Sequence, residues 1–242
     1  MWPTAWSASM IRIARNDSLD PSYLSMADNY LEKKFDEFYS GRKVSFKHPG
    51  VSLDALFGRN RSCRGFQKDY KVHRLQLERI AGVCSKVASA MNRQPLRFRL
   101  VTAADEGDGR RPSDIVLGHI HLGGALPELH LPLVGTEPEA FIIICSAVPE
   151  DRYVDMDLGI AAQSMLLKAT EMGLGGVIVC AFDRETLRRD LALPLDPLAV
   201  LAIGKPAEHF ALRAVSAGDS LKYFREDGVH VVPKLQLPDL LV

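Results

Sequence analysis

Residues 140–148 read Ala-Phe-Ile-Ile-Ile-Cys-Ser-Ala-Val, an apolar run broken only by Ser146. Successive side chains of a strand point to opposite faces, so a run that is apolar at odd and even positions alike must be covered on both sides. The run is far shorter than the ~20 residues that span a bilayer, and it reads as the central strand of a sheet layered on both faces. Leu96-Arg97-Phe98-Arg99-Leu100-Val101 alternates with period two and predicts a half-exposed strand.

Helical spacing fills much of the rest. Between His73 and Met91 the residues Leu77, Ile80, Ala81, Cys84, Val87 and Ala88 form the stripe of one core-facing helix. From Val154, the set Leu158, Ala161, Ala162, Met165, Leu166 and Ala169 predicts a long helix stopped at Gly173, followed by a strand over residues 177–182. Strand, helix and strand make a crossover unit. Ser52 caps a short helix with Leu53, Leu56 and Phe57 facing inward, and Asp183 caps another through Leu187. Residues 198–203 read as a buried strand, and residues 222–224 and 229–232 as extended pieces around Asp227-Gly228. The class is α+β, one sheet covered by helices.

At ~150 residues per domain, 242 residues make one large domain with an appendage. The expected division is 1–50 as a leader and helical arm, with Leu31, Phe35, Phe38 and Tyr39 on one helix face, and 51–242 as the main domain. Thirty Lys+Arg balance thirty Asp+Glu, so no whole-molecule field draws the chain to nucleic acid or an anionic membrane, and neither is an expected partner. The N-terminus lacks the apolar stretch of a secretory signal, which favours the cytoplasm. Cys63, Cys84, Cys145 and Cys180 have neither metal-knuckle nor disulfide-framework spacing and read as reduced thiols.

Within this neutral chain, Arg59, Arg61, Arg64, Lys68, Lys71 and Arg74 crowd around a single acid, Asp69. The planar fork of arginine suits phosphate oxygens, and Ser62 adds a hydroxyl, so Arg61-Ser62-Cys63-Arg64 is competent to grip a phosphoryl group; a solvated basic loop is the other reading. A second constellation is Ser89-Ala90-Met91-Asn92-Arg93-Gln94-Pro95, whose amides donate and accept as the edge of a heterocycle requires, or which simply ends a helix. Gly173-Leu174-Gly175-Gly176 closes a helix rather than opening one, and so is no dinucleotide fingerprint. His119 and His121 fall on one face if they lie in a strand, but no further ligand completes a metal site, and none is expected. The absence of G-x-S-x-G removes the nucleophile-elbow hydrolases.

Taken in order, these segments resemble the FMN-dependent nitroreductases, whose pattern is an Arg-x-Ser-x-Arg/Lys loop, Pro-Ser-x-x-Asn-x-Gln-Pro, Asp-x-Gly-x-Ala-x-Gln and Gly-Leu-Gly. The chain has Arg61-Ser62-Cys63-Arg64, then Ala88-Ser89-Ala90-Met91-Asn92-Arg93-Gln94-Pro95, then Asp157-Leu158-Gly159-Ile160-Ala161-Ala162-Gln163 and Gly173-Leu174-Gly175. The likeness runs on through Ile203-Gly204-Lys205-Pro206 to Val232-Pro233-Lys234. It departs at Asn60, Ala88 and Leu235-Gln236, where the family commonly has Arg, Pro and a second C-terminal Arg, with Arg59 the nearest replacement for the first, and at Cys180, where a small or acidic residue is usual.

The resemblance implies a nitroreductase-like α+β fold, a mixed, mostly antiparallel central sheet flanked by helices, in a domain-exchanged homodimer with FMN at the interface. By position, Arg61, Ser62, Arg64 and Lys234 would hold the phosphate, ribityl and pyrimidine portions, and Ser89, Asn92 and Gln94 would come from the partner. Backbone N–H groups at Cys180 and Ala181 would face flavin N5 and O4. The implied activity passes hydride from NAD(P)H, the reductant, through flavin N5 to a flat electron-poor small molecule such as a nitroaromatic or a quinone, in a ping-pong cycle. No side chain serves as acid or base, because the chemistry is the cofactor's. A module that stores FMN without turnover is the alternative.

Overall fold

The computed structural model describes residues 51–107, 109–124 and 127–242. The expected leader and arm, and the boundary at residue 50, lie outside or at the edge of these.

Nine-residue strand β4 (Asp196–Gly204) and β2 (Ala140–Ser146) form the middle of a four-stranded sheet ordered β1-β2-β4-β3, with β1 at Leu96–Val101 and β3 at Gly175–Val179. As its sequence demands, β2 is buried at every position. Its even-numbered side chains, Ile142 and Ile144, pack with Leu77, Ile80, Met165 and Leu166, residues of α2 (Arg74–Ala81) and α4 (Arg152–Glu171). Phe141, Ile143 and Cys145 point the other way, to Val116 of α3 (Pro112–His119) and Leu187 of α5 (Arg184–Asp190). The crossover expected between β2 and β3 is present in split form: the two run in the same direction, but β4 lies between them, antiparallel to both.

Among the described residues the strand pairs of the central sheet are all antiparallel, and its parallel part, expected of a mixed sheet, is the single bridge of Ser62 to Gly176 at the β3 edge. A parallel strand pair belongs to a second sheet, β5-β7-β6, in which β5 (His209–Val215) runs parallel to β7 (Val229–Leu235). β6 (Phe224–Glu226) joins β7 through Asp227 and Gly228, both at positive φ as a tight hairpin requires. β5 has no alternating pattern to announce it; most of its side chains are exposed and its order comes from the β7 ladder.

Other expectations are corrected. The helix drawn from His73 to Met91 ends at Ala81; Gly82 caps it, a 3₁₀ turn spans Gly82–Ser85, and the Ser85 hydroxyl donates to the Gly82 carbonyl at 2.8 Å. Glycine's low helix propensity and a serine competing for backbone acceptors break the stripe there. In α1 (Leu53–Arg59) the Ser52 cap forms, yet Leu53 and Phe57 are exposed, and in this seven-residue helix beside α4 only Ala55 and Leu56 are half-buried. His119 ends a helix begun by Pro112 rather than lying in a strand, and its Nε2 meets Asp190 at 2.9 Å. β3 starts two residues earlier than expected and stops at Val179, leaving Cys180 and Ala181 in the turn before the Asp183 cap.

Candidate functional site

The loop after α1 is drawn onto the edge of the central sheet. Cys63 N–H donates to the Gly176 carbonyl at 3.0 Å, so Ser62 bridges Gly176 in parallel. Gly176 permits this crowding: a Cβ there would sit 2.6 Å from the Ala202 carbonyl oxygen and 2.8 Å from Leu166 and Ile203 side-chain carbons. Glu208 fixes the next turn, its Oε2 accepting the N–H groups of Arg64 at 2.6 Å and Gly65 at 3.1 Å.

Beside this loop opens a cleft of about 280 Å³. Arg61, Ser62 and Arg64 line it from one side, and Lys234 of β7 with Tyr223 and His230 from the other. Asn60 after α1, Gln163 and Leu166 of α4, Ile178 of β3 and Val232 of β7 complete the walls, and no carboxylate is among its lining residues. Three cations from positions 61, 64 and 234 therefore share one small volume with no acid among the described residues that line it.

Each cation is placed by a different device. Arg61 donates to the Asn60 carbonyl at 2.5 Å and the Phe57 carbonyl at 2.8 Å, capping the C-terminus of α1, and burial draws its guanidinium below the usual value. Its Nε is buried with no partner among the described residues. Arg64 stands over the Tyr223 ring, 5.0 Å from its centre, and Tyr223 in turn stacks on His230 at 5.0 Å. Burial lowers the His230 imidazole from its ordinary value and so favours the neutral ring, with Arg64 and Arg225 adding to the effect and Glu208 opposing it. His230 Nδ1 is a second buried atom without a partner among the described residues.

The other expected site residues are not in this cleft. Ser89 and Gln94 line a separate apolar cleft of about 270 Å³ near the start of α4, and Asn92 is exposed beside it. Asp157, to which Ser89 is bonded, precedes Gln163 by six residues, about 9 Å along the helix. A single chain thus brings Arg61, Ser62, Arg64 and Lys234 together and keeps Ser89, Asn92 and Gln94 apart from them. Cys180 and Ala181 follow Ile178 off the end of β3, both exposed, and their N–H groups have no acceptor among the described residues.

Other parts of the basic run are accounted for locally. Lys68 pairs with Glu137 at 3.3 Å and Glu139 at 3.4 Å, Lys71 with Glu139, and Arg74 with Glu78. Arg59 is exposed and is not among the residues that line the cleft. Asn60 does line the cleft, held there by donating to the Thr170 hydroxyl at 3.0 Å and accepting from Gln163 at 3.3 Å. Sequence reasoning missed Gln163, Tyr223 and His230 as lining residues. Gln163 closes the Asp-x-Gly-x-Ala-x-Gln motif and was findable there; Tyr223 and His230 reach the cleft only through the second sheet.

The model of the nitroreductase family matches residues 59–205, well over half of the chain. The chain belongs to the nitroreductase family. Over 57 residues this nitroreductase-family chain is 40% identical to a curated protein of Methanocaldococcus jannaschii named as a nitroreductase; the match covers 24% of this chain and 29% of that relative. A Desulfovibrio desulfuricans protein described as a nitroreductase and solved in complex with FMN is 25% identical, with a TM-score of 0.54 over 65% of this chain and 88% of that one. An FMN- and NADPH-dependent nitroreductase of Sphigopyxis sp. strain HMH, solved as a point mutant, shares the fold at 20% identity, with a TM-score of 0.52 over 65% and 89% of the two chains.

The cleft fits a phosphorylated flavin on its own chemistry. An acid-free set of three cations with a hydroxyl suits a phosphate, and the unpartnered Arg61 Nε–H is a donor the fold leaves unmatched. The N–H groups of the exposed residues Cys180 and Ala181, without an acceptor among the described residues, suit a polar ring edge.

Proposed function

We infer that this protein is an FMN-dependent oxidoreductase that takes hydride from NAD(P)H and delivers it to a flat, electron-poor small molecule. The observation that carries the reading is the convergence of Arg61, Arg64 and Lys234 with Ser62 on one cleft without a carboxylate. When bound, FMN supplies a centre at N5 that accepts and returns a hydride. The chain's residues bind and orient it: Arg61, Arg64 and Lys234 neutralise the phosphate, and Ser62 offers a hydroxyl to the phosphate or ribityl chain. The N–H groups of Cys180 and Ala181 favour negative charge on the ring edge, whatever side chain they carry.

The site is completed by a second copy. Ser89, Asn92 and Gln94 do not reach this chain's cleft, and the surface near them is apolar: Tyr153, Met156 and Ile160 of α4 are exposed at helical spacing, as is Met91. A domain-exchanged homodimer covers that surface and brings the three polar residues to the partner's flavin. The absorption spectrum tests the reading. Purified protein is expected to show flavin bands, with a chromophore that acid releases as FMN; protein that remains colourless after incubation with FMN overturns it. Anaerobic NAD(P)H is expected to bleach those bands, whereas a flavin-storage module leaves them intact.

A further inference from the structure

Met91 (φ 52°), Asn92 (φ 53°) and Gln94 (φ 47°) hold left-handed backbone within four positions, and none is glycine. Such residues persist only where their neighbours over-determine them. Here the neighbour is Asp157 of α4, only 4% exposed. Its Oδ2 accepts the Ser89 hydroxyl at 2.6 Å and its Oδ1 accepts the Ala90 N–H at 2.8 Å, while Ser89 Oγ accepts the Gln94 N–H at 2.9 Å. The carboxylate thereby holds the first two residues of the hook formed by residues 89–94 directly and its far end through the Ser89 hydroxyl.

Among the described residues no cation pairs with Asp157; the ion pair on this part of the fold is Arg93 with Asp151. A buried carboxylate satisfied by one hydroxyl and one amide is costly, and it adds to the cost of the left-handed backbone. What the two costs secure is the presentation of Asn92 and Gln94. Gln94 Nε2 donates to Asn92 Oδ1 at 2.9 Å, leaving Gln94 Oε1 and Asn92 Nδ2 without a partner among the described residues, on two exposed side chains. A fixed acceptor beside a fixed donor matches the alternating edge of a pyrimidine-type ring.

We propose that Asp157 is a positioning residue whose buried carboxylate holds the 89–94 hook in its left-handed form, so that Asn92 and Gln94 meet the pyrimidine edge of the flavin in a second copy's cleft. This rests on the flavin reading above. Ser89 acts through the hook, its hydroxyl being committed to Asp157 and to Gln94 N–H.

The experiment uses the full chain and D157N, with S89A carrying the same readouts if D157N does not fold. Hydrogen exchange, which needs no ligand, is expected to quicken at least about tenfold over residues 89–94 in the variant and to stay unchanged in β2 and β4. Titration followed by flavin fluorescence is expected to show FMN and riboflavin both weakened by about tenfold, since the hook reads the ring and not the phosphate. At saturating FMN the variant's flavin absorption bands are expected to be displaced from those of the wild type, which a merely structural role would not produce. Unchanged exchange over the hook overturns the clamp. Faster exchange with unaltered flavin affinity and spectrum overturns the hook's role toward the ring. A wild type that takes up no FMN overturns the flavin reading and that role together, and the exchange measurement tells this apart from a failed clamp.

Discussion

Glu208 accepts the backbone N–H of Arg64 at 2.6 Å across 144 positions of sequence. The same oxygen accepts from Gly65 at 3.1 Å, and the other oxygen pairs with Arg225. This side chain, 8% exposed, joins the loop after α1 to the β6 strand and fixes the backbone from which Arg64 reaches the cleft. Glu208→Gln keeps the size but offers one acceptor where three donors converge, and turns its own N–H group toward Arg225. A fully buried broken pair costs about 3–5 kcal/mol; with Arg225 partly exposed, the expected loss is about 2 kcal/mol, or roughly 4–8 °C in Tm. Thermal unfolding checks this, and an unchanged Tm contradicts the clamp.

Much of the fold was legible because its strongest signals are local. The run through Ile142, Ile143 and Ile144 had one solution, a two-faced central strand, and the α4 stripe ended at Gly173, where positive φ makes glycine the natural stop. What was not legible depends on distant partners. Nothing near Phe210 or Ala211 marks β5, whose ladder comes from residues twenty positions on. The candidate site divides in the same way. Arg61, Ser62 and Arg64 lie within four positions and are chemically distinctive, whereas Tyr223 and His230 join them only because the second sheet folds back, and Asn60 both lines the cleft and ties α1 to α4.

Arg64 and Lys68 are four residues apart and equally basic by sequence, yet Arg64 lines the cleft while Lys68 is held between Glu137 and Glu139. Arg64→Ala is expected to weaken FMN about ten- to a hundredfold, the worth of a charge-assisted contact. Lys68→Ala, which breaks only half-exposed pairs, is expected to change affinity less than about threefold. Fluorescence titration of the two variants decides the matter; equal effects would detach the loop motif from the cofactor.

Alkaline pH is expected to destabilise the protein through its thiols. Burial, with the Glu208 charge adding, pushes the Cys63 thiol up to about 12, and burial raises Cys84 and Cys145 to about 11. The folded chain therefore keeps protons that the unfolded chain releases near pH 9, so this stability is whole below about pH 9 and is lost as pH rises through 11 to 12. Urea unfolding at about pH 7, 9 and 10.5 measures it. In Cys63→Ser, whose hydroxyl can still donate to the Gly65 carbonyl, the decline above about pH 9 is expected to be shallower than in the wild type.

Met156 is the most exposed of the three α4 residues, at 54%, with Tyr153 at 42% and Ile160 at 37%. Residues at i, i+3 and i+7 form one face of a helix, and an apolar face of this kind beside the 89–94 hook marks the surface a second copy would cover. Met156→Glu leaves the core untouched, since the side chain is outside both apolar clusters, but in a dimer it buries a carboxylate with no partner. The expected result is a wild type that runs as a dimer in size exclusion with light scattering, and a variant that runs as a folded monomer with an unaltered far-ultraviolet circular dichroism spectrum. Because Arg61, Arg64 and Lys234 stay in place while the partner's Asn92 and Gln94 are lost, the monomer is expected to retain weak FMN binding, at least about tenfold poorer than the dimer. A wild type that is monomeric yet binds FMN tightly would place the whole cofactor site in one chain, and the assignment of the hook to a neighbouring copy would fall.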